Sequence, residues 1–113
     1  MKTEGCHVIA DVWVEEYPED ISLFLDKISK SIDLSGLTIV STKTHFFNDA
    51  AFTAVFILAE SHFSIHTFPE RNFMSLDCYT CGEKGKPLFA VSNVLDYLEV
   101  KRSDIKVICR GKF

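Results

Sequence analysis

The sequence predicts an α+β fold, a two-layer sandwich whose largely antiparallel sheet carries two helices on one face. Two kinds of observation carry that prediction. Alternating and β-branched stretches dominate the chain, and short turns join several of them. Two apolar stripes at helical spacing interrupt the strand runs, giving the order strand, helix, several strands, helix, strand. The 113 residues fit one compact domain, 1–113, without internal repeat or linker, and bury roughly two thirds of the extended surface.

Cys6 to Val14 alternates, with Val8, Ala10, Val12 and Val14 on one face and His7, Ile9, Asp11 and Trp13 on the other. Tyr17-Pro18-Glu19-Asp20 ends that strand, and Asp20 caps a helix over about Ile21–Ser31, whose stripe is Ile21, Phe24, Leu25, Ile28 and Ile32. Gly36 closes the helix. Leu37–Phe47 reads as a second strand, and Asn48-Asp49 as a turn. Phe52–Leu58 is apolar on both faces, so cover is expected on both sides, helices on one and a partner subunit as a candidate on the other. Phe63–Phe68 and Phe73–Thr80 are short strands; Pro69 stops the first. Gly82 to Lys86 reads as a polar loop, and Pro87 opens a helix with Leu88, Val91, Val94, Leu95 and Leu98 as its stripe. Asp104–Arg110 closes the chain as a strand.

Net charge is −4, which provides no basic footprint for nucleic acid. Apolar runs fall short of a membrane span, and the N-terminus lacks leader-peptide architecture, so a cytoplasmic protein is expected. In that compartment Cys6, Cys78, Cys81 and Cys109 are expected as thiols. Cys78 and Cys81 have the spacing of zinc and redox motifs. A strand, however, would turn them to opposite faces, and no metal site is expected. Ten phenylalanines imply an aromatic-rich core, or rings lining a site or an interface.

The segment from Glu60 to Glu70 concentrates hydroxyls, imidazoles and carboxylates between apolar strands. Ser64, His66 and Phe68 share a strand face, and Ser61 precedes it. A bend at Ser61-His62 would let Ser61 and His66 meet, as nucleophilic catalysis requires. By spacing alone, a turn serine beside a hydrogen-bonded structural histidine is the commoner arrangement.

Glu60-Ser61-His62, Ile65-His66-Thr67-Phe68-Pro69-Glu70, Asp77, Thr80-Cys81-Gly82 and the N-terminal Gly5-Cys6-His7 with Asp11 together resemble the short prokaryotic class of S-adenosylmethionine decarboxylases. The resemblance implies self-cleavage between Glu60 and Ser61, into 1–60 (β chain) and 61–113 (α chain), with Ser61 becoming a covalent pyruvoyl group. It casts His66 as the base that removes the Ser61 α-proton. Cys81 becomes the acid that returns a proton to the substrate carbon. Thr53 stands where the family usually has a serine hydroxyl that helps processing. Phe47 and Phe68 would hold the adenine ring, with Phe68 in place of the usual Trp, and Glu70 would accept from ribose hydroxyls. The implied substrate is S-adenosylmethionine, for polyamine (spermidine) synthesis, and the implied assembly is a homodimer with sites at the interface. His7 and Asp11 acquire no role. Phe68 leaves a pyruvoyl-dependent arginine or ornithine decarboxylase as one alternative. Thr53 leaves an unprocessed, non-catalytic relative acting as a binding or regulatory partner as another.

Overall fold

The computed structural model describes residues 3–81 and 85–112, with the side chain of Thr3 outside the description. Its elements are β1 (Thr3–Val14), α1 (Ile21–Leu34), β2 (Ile39–Phe46), β3 (Phe52–Leu58), β4 (Ser61–Phe68), β5 (Phe73–Thr80), α2 (Gly85–Leu95) and β6 (Val100–Lys112). A 3-10 turn, Pro69–Arg71, joins β4 to β5. The strands form a single six-stranded sheet in the order β2-β3-β4-β5-β1-β6, and every neighbouring pair is antiparallel. The N-terminal strand is thus slotted between β5 and β6, which no local pattern specifies.

Local chemistry accounts for the elements. Asp20 accepts from the Leu23 N–H at 3.0 Å and caps α1. The helix then runs to Leu34, beyond the expected Ser31. Ser31 is absorbed within it and Ser35 caps its end, their hydroxyls donating to carbonyls four residues back at 2.8 and 2.7 Å. Gly36, at φ 82°, turns the chain out. In α2 the buried face is Pro87, Ala90, Val91 and Val94, and Leu95 and Leu98 pack at its margin. Leu88, assigned to that stripe from the sequence, is 39% exposed, because it lies a single helical step, about 100°, from Pro87. Gly85 and Lys86 belong to the helix rather than to a loop, while the expected loop residues Gly82, Glu83 and Lys84 lie outside the described residues.

β6 runs from Val100, well before the expected Asp104. As an edge strand exposed along most of its length, it tolerates the Lys101-Arg102-Ser103 run that hides a strand pattern. Core side chains from β1, β3, β4 and β5 meet those of α1 and α2 on one face of the sheet. Phe52, Phe56 and Phe63 are among the largest fully buried residues, so the phenylalanine surplus divides between core and surface. The expected double cover of β3 is only half met within the chain. Phe52, Ala54, Phe56 and Leu58 are buried, whereas Ile57 on the other face is 46% exposed.

Candidate active site

β3 and β4 are joined by a two-residue connection, Ala59-Glu60, because Leu58 and Ser61 pair directly. Connections of this length favour turns with positive φ at their central residues. Neither Ala59 nor Glu60 adopts one; the positive φ, 156°, falls on Ser61 instead. A non-glycine residue there costs on the order of 1–3 kcal/mol and persists only where its surroundings fix it. The surroundings of Ser61 do so. The Ala59 N–H donates to Thr38 O at 2.9 Å, and the Thr38 N–H donates to Glu60 Oε1 at 3.0 Å. The Glu60 carbonyl accepts from the Cys81 N–H at 3.1 Å and from the Cys81 thiol at 3.3 Å. Ser61 therefore begins β4, between Leu58 and Thr80, with the preceding carbonyl polarised by two donors from one residue.

Continuity of β4 corrects the expected bend at Ser61-His62. His66 pairs with Thr53 toward the other end of the strand, and Ser61 with Leu58. Five residues of extended chain separate them by roughly 16 Å, so serine and imidazole do not meet within the chain. What His66 meets is Thr53, with 3.1 Å between Thr53 Oγ1 and His66 Nδ1.

Phe47, Thr53, His66, Phe68 and Glu70 line one open cleft of roughly 380 Å³, together with Asn48, Ala51 and Thr67. Its floor is held by hydrogen bonds the sequence pattern did not single out. The Thr67 hydroxyl accepts from the Phe52 N–H at 2.9 Å, and the Tyr17 hydroxyl donates to Thr67 Oγ1 at 2.9 Å. Asn48 Oδ1 accepts from the N–H groups of Ala50 and Ala51 at 2.8 and 2.7 Å, which shapes the rim below Phe47. Phe47 is 65% exposed, with its edge against His45, and Phe68 packs against Phe73. Both keep ring surface available to a flat ligand.

Between these two regions, on the sheet face away from the helices, lies a polar cluster. Asp77 on β5 accepts from His7 Nε2 at 2.7 Å, from His62 Nε2 at 3.2 Å, and from the Ser64 hydroxyl. The Arg110 guanidinium donates to His7 Nδ1 at 3.1 Å, so the His7 proton sits on Nε2, facing Asp77. Burial raises the Asp77 carboxyl, but hydrogen bonds from Ser64, His7 and His62 outweigh it and hold the group below its ordinary value. Tyr79 stands edge-on to His7, and Gly5 makes room for it, since a Cβ there would fall 2.5 Å from Tyr79 Oη. His7, His62 and Asp77 offer ligand-type atoms within 4.8 Å of one another. In the present arrangement the carboxylate accepts from both imidazoles and from Ser64, and the Arg110 guanidinium lies against His7. His7 thus has a place, while Asp11 joins neither region. Cys78 is buried on the helix side, its thiol pushed up to about 12 by burial, whereas Cys81 is exposed. Cys78 lies within β5 and Cys81 just past its end, and the two differ in burial.

A family model described as S-adenosylmethionine decarboxylase matches residues 6–111. The chain is 35% identical to S-adenosylmethionine decarboxylase proenzyme 2 of a Bacillus cereus strain, over 96% of this chain and 90% of the relative. It is 38% identical to the S-adenosylmethionine decarboxylase proenzyme of Sulfurihydrogenibium sp. (strain YO3AOP1), over 97% and 84%. The crystal structure of the adenosylmethionine decarboxylase from Aquifex aeolicus VF5 superposes with a TM-score of 0.91 at 31% identity, covering 100% of this chain and 95% of that one.

Proposed function

Since the chain belongs to the S-adenosylmethionine decarboxylase family, whose known role is in polyamine synthesis, we propose that it matures by cutting its own Glu60–Ser61 bond and carries the resulting pyruvoyl group at residue 61. The observation that carries this is the Glu60 carbonyl, gripped by both donors of Cys81 beside a strained Ser61. The family match selects S-adenosylmethionine over the arginine and ornithine alternatives as substrate.

The chain's own groups suit each step. The Ser61 hydroxyl attacks the Glu60 carbonyl carbon, and the two Cys81 donors face the oxygen on which negative charge develops. Breaking the peptide C–N bond moves the acyl group to Oγ and frees the Ser61 amine, which also releases the strained φ. A base then takes the Ser61 α-proton, and Glu60 leaves as a carboxylate. Hydrolysis of the remaining dehydroalanine liberates ammonia and leaves a ketone. A pyruvoyl group supplies an electron sink for loss of carbon dioxide from a bound amino acid. Cys81, exposed and next to residue 61, is placed to return the proton. Phe47 and Phe68 offer faces for an adenine ring, and Glu70 an acceptor for ribose hydroxyls.

His66, the family's base, stands with Thr53 at the far end of β4, so a complete site needs two copies. The assembly is a homodimer in which open sheet faces pack together. The Ser61–Cys81 end of one copy then meets the His66–Thr53 cleft of the other, and the exposed face of Ile57 becomes covered. The further partner is the small-molecule substrate that the family match supports. Among the described residues no helix is long and apolar enough to cross a membrane.

Mass spectrometry of the purified protein tests the cleavage. Fragments 1–60 and 61–113 are expected, the second beginning with pyruvoyl, together with carbon dioxide release from S-adenosylmethionine. A chain that stays whole would instead favour the non-catalytic relative. Complementation tests the shared site. Ser61→Ala and His66→Ala are each inactive alone, but a heterodimer of the two retains one intact pair. Co-expression should therefore restore activity at about a quarter of the sites.

A further inference from the structure

We propose that Asp77 is a positioning residue for self-cleavage: by gripping His62 and Ser64 it fixes the chain on the C-terminal side of Ser61 and holds the scissile peptide in its reactive geometry. The proposal rests on the proposed cleavage at Ser61. A positive φ at a serine survives only between two fixed flanks. The N-terminal flank is held through Glu60, by Thr38 and Cys81. The C-terminal flank is His62, adjacent to Ser61. Beyond the strand ladder, it is tied by a hydrogen bond from Nε2 to Asp77 Oδ2 at 3.2 Å. Ser64, two residues further on the same face, donates to the other oxygen of the same carboxylate. Asp77 therefore clasps β4 twice, immediately after the bond to be cut.

The carboxylate is itself fixed from the opposite side. His7 on β1 donates to it at 2.7 Å, and Arg110 on β6 donates to His7 Nδ1 and so assigns the proton that faces Asp77. Tyr79 packs against both imidazoles. A chain of contacts from β6 through β1 and β5 to β4 thus ends at the residue after Ser61. None of these side chains faces the Glu60 carbonyl, so their effect on the reaction is geometric. An anionic acceptor with two oxygens is needed because three donors converge on it; an amide in the same place offers one acceptor oxygen and presents N–H groups to donors.

Proenzyme made by pulse-labelled cell-free translation lets cleavage be timed from synthesis. Wild-type chain, Asp77→Asn, His62→Gln and His62→Leu are compared for first-order cleavage rate and for thermal midpoint. Asp77→Asn and His62→Leu should slow cleavage by about tenfold to a hundredfold. His62→Gln, whose amide N–H can occupy the place of Nε2–H, should stay within about threefold of wild type. The contrast between Gln and Leu is what a general structural role would not produce, and it stands even if Asp77→Asn fails to fold. Neutral hydroxylamine adds a second readout, because it cleaves an accumulated ester to a Glu60 hydroxamate and a fragment beginning with intact Ser61. Misplacement of the scissile peptide blocks the step before the ester, so no such fragment should appear in Asp77→Asn or His62→Leu. The proposal is overturned if a folded Asp77→Asn cleaves at the wild-type rate, if Gln and Leu at position 62 behave alike, or if the slowed variants accumulate ester. If the wild-type chain does not cleave at all, the assignment of Ser61 itself falls, a result separable from the others.

Discussion

The two ends of β4 are built on different principles. At the Ser61 end the chemistry lies in the backbone: a tight connection, a positive φ, and a carbonyl held by the N–H and thiol of Cys81. At the His66 end it lies in side chains: an imidazole against a threonine hydroxyl, two available aromatic rings and a carboxylate around an open cleft. In the proposed reaction one end serves to break a peptide bond with ester formation, the other to transfer a proton and to hold a flat, cationic substrate. Their separation along a continuous strand is why the proposed reaction draws on two copies. A backbone-built end tolerates few changes because its geometry is over-determined, while a side-chain-built end should degrade in graded steps.

Substitutions at the two ends break or sharpen that contrast. The largest effect after loss of Ser61 itself is expected at His66. His66→Ala should slow self-cleavage by about 10²–10⁴-fold, the usual contribution of a positioned base, while the thermal midpoint stays near that of the parent. Gel analysis of freshly made chain measures it, and near-normal cleavage would deny the far end any part in processing. A smaller change follows from Phe68→Ala. Losing one stacking face worth about 0.5–1.5 kcal/mol should raise KM for S-adenosylmethionine by about 2–10-fold with cleavage unaffected. Phe68→Trp should lower KM. Steady-state kinetics on matured enzyme decides this, and slowed cleavage in Phe68→Ala would blur the division between the ends.

Thiol mapping distinguishes the ends chemically. Brief alkylation near neutral pH should label exposed Cys81 and spare Cys78, which is buried and raised to about 12, as read by peptide mass. The smallest effect is on fold stability and concerns the Asp77 carboxylate, between the ends. Its folded-state value is lowered, so the stabilisation is present above the unfolded carboxyl value of about 3.9 and is lost as pH falls through the folded value. Melting midpoints of the parent should therefore drop on acidification below about pH 4 more steeply than those of Asp77→Asn. Parallel curves would mean that the carboxylate is no better stabilised in the fold than in the open chain.

Much of this arrangement is legible in the residues themselves. Period-two alternation placed Val8, Ala10 and Val12 opposite His7, Ile9 and Trp13, because strand side chains must alternate, and the sheet buries that first set. Asp20 and Gly36 marked the first helix by capping chemistry that is local by nature. Leu88 and the start of β6 were misread for one reason. Apolarity and charge report burial on average, whereas a helix margin and an edge strand follow position within the fold. At the site, the residue types from Glu60 to Glu70 singled out that segment, and resemblance supplied the proposed roles. The expected meeting of Ser61 and His66 failed because spacing in sequence does not show whether a strand bends. The contacts of Tyr17 and Arg110 carried no local signal, since each acts on a partner distant in the chain, whereas Asn48, legible as a turn residue, holds its own loop's backbone.

By itself, then, the sequence determined the order of strands and helices, which faces are apolar, and which residue types are available for the proposed acyl shift, proton transfer and ring stacking, since these depend on side-chain chemistry and short-range geometry. Tertiary structure alone decided that β1 lies between β5 and β6, bringing His7 and Arg110 to Asp77, and that β4 stays straight, holding Ser61 and His66 apart. Those outcomes depend on pairings between residues far apart in the chain, whose register is set by burial of one common sheet face under two helices rather than by any local pattern.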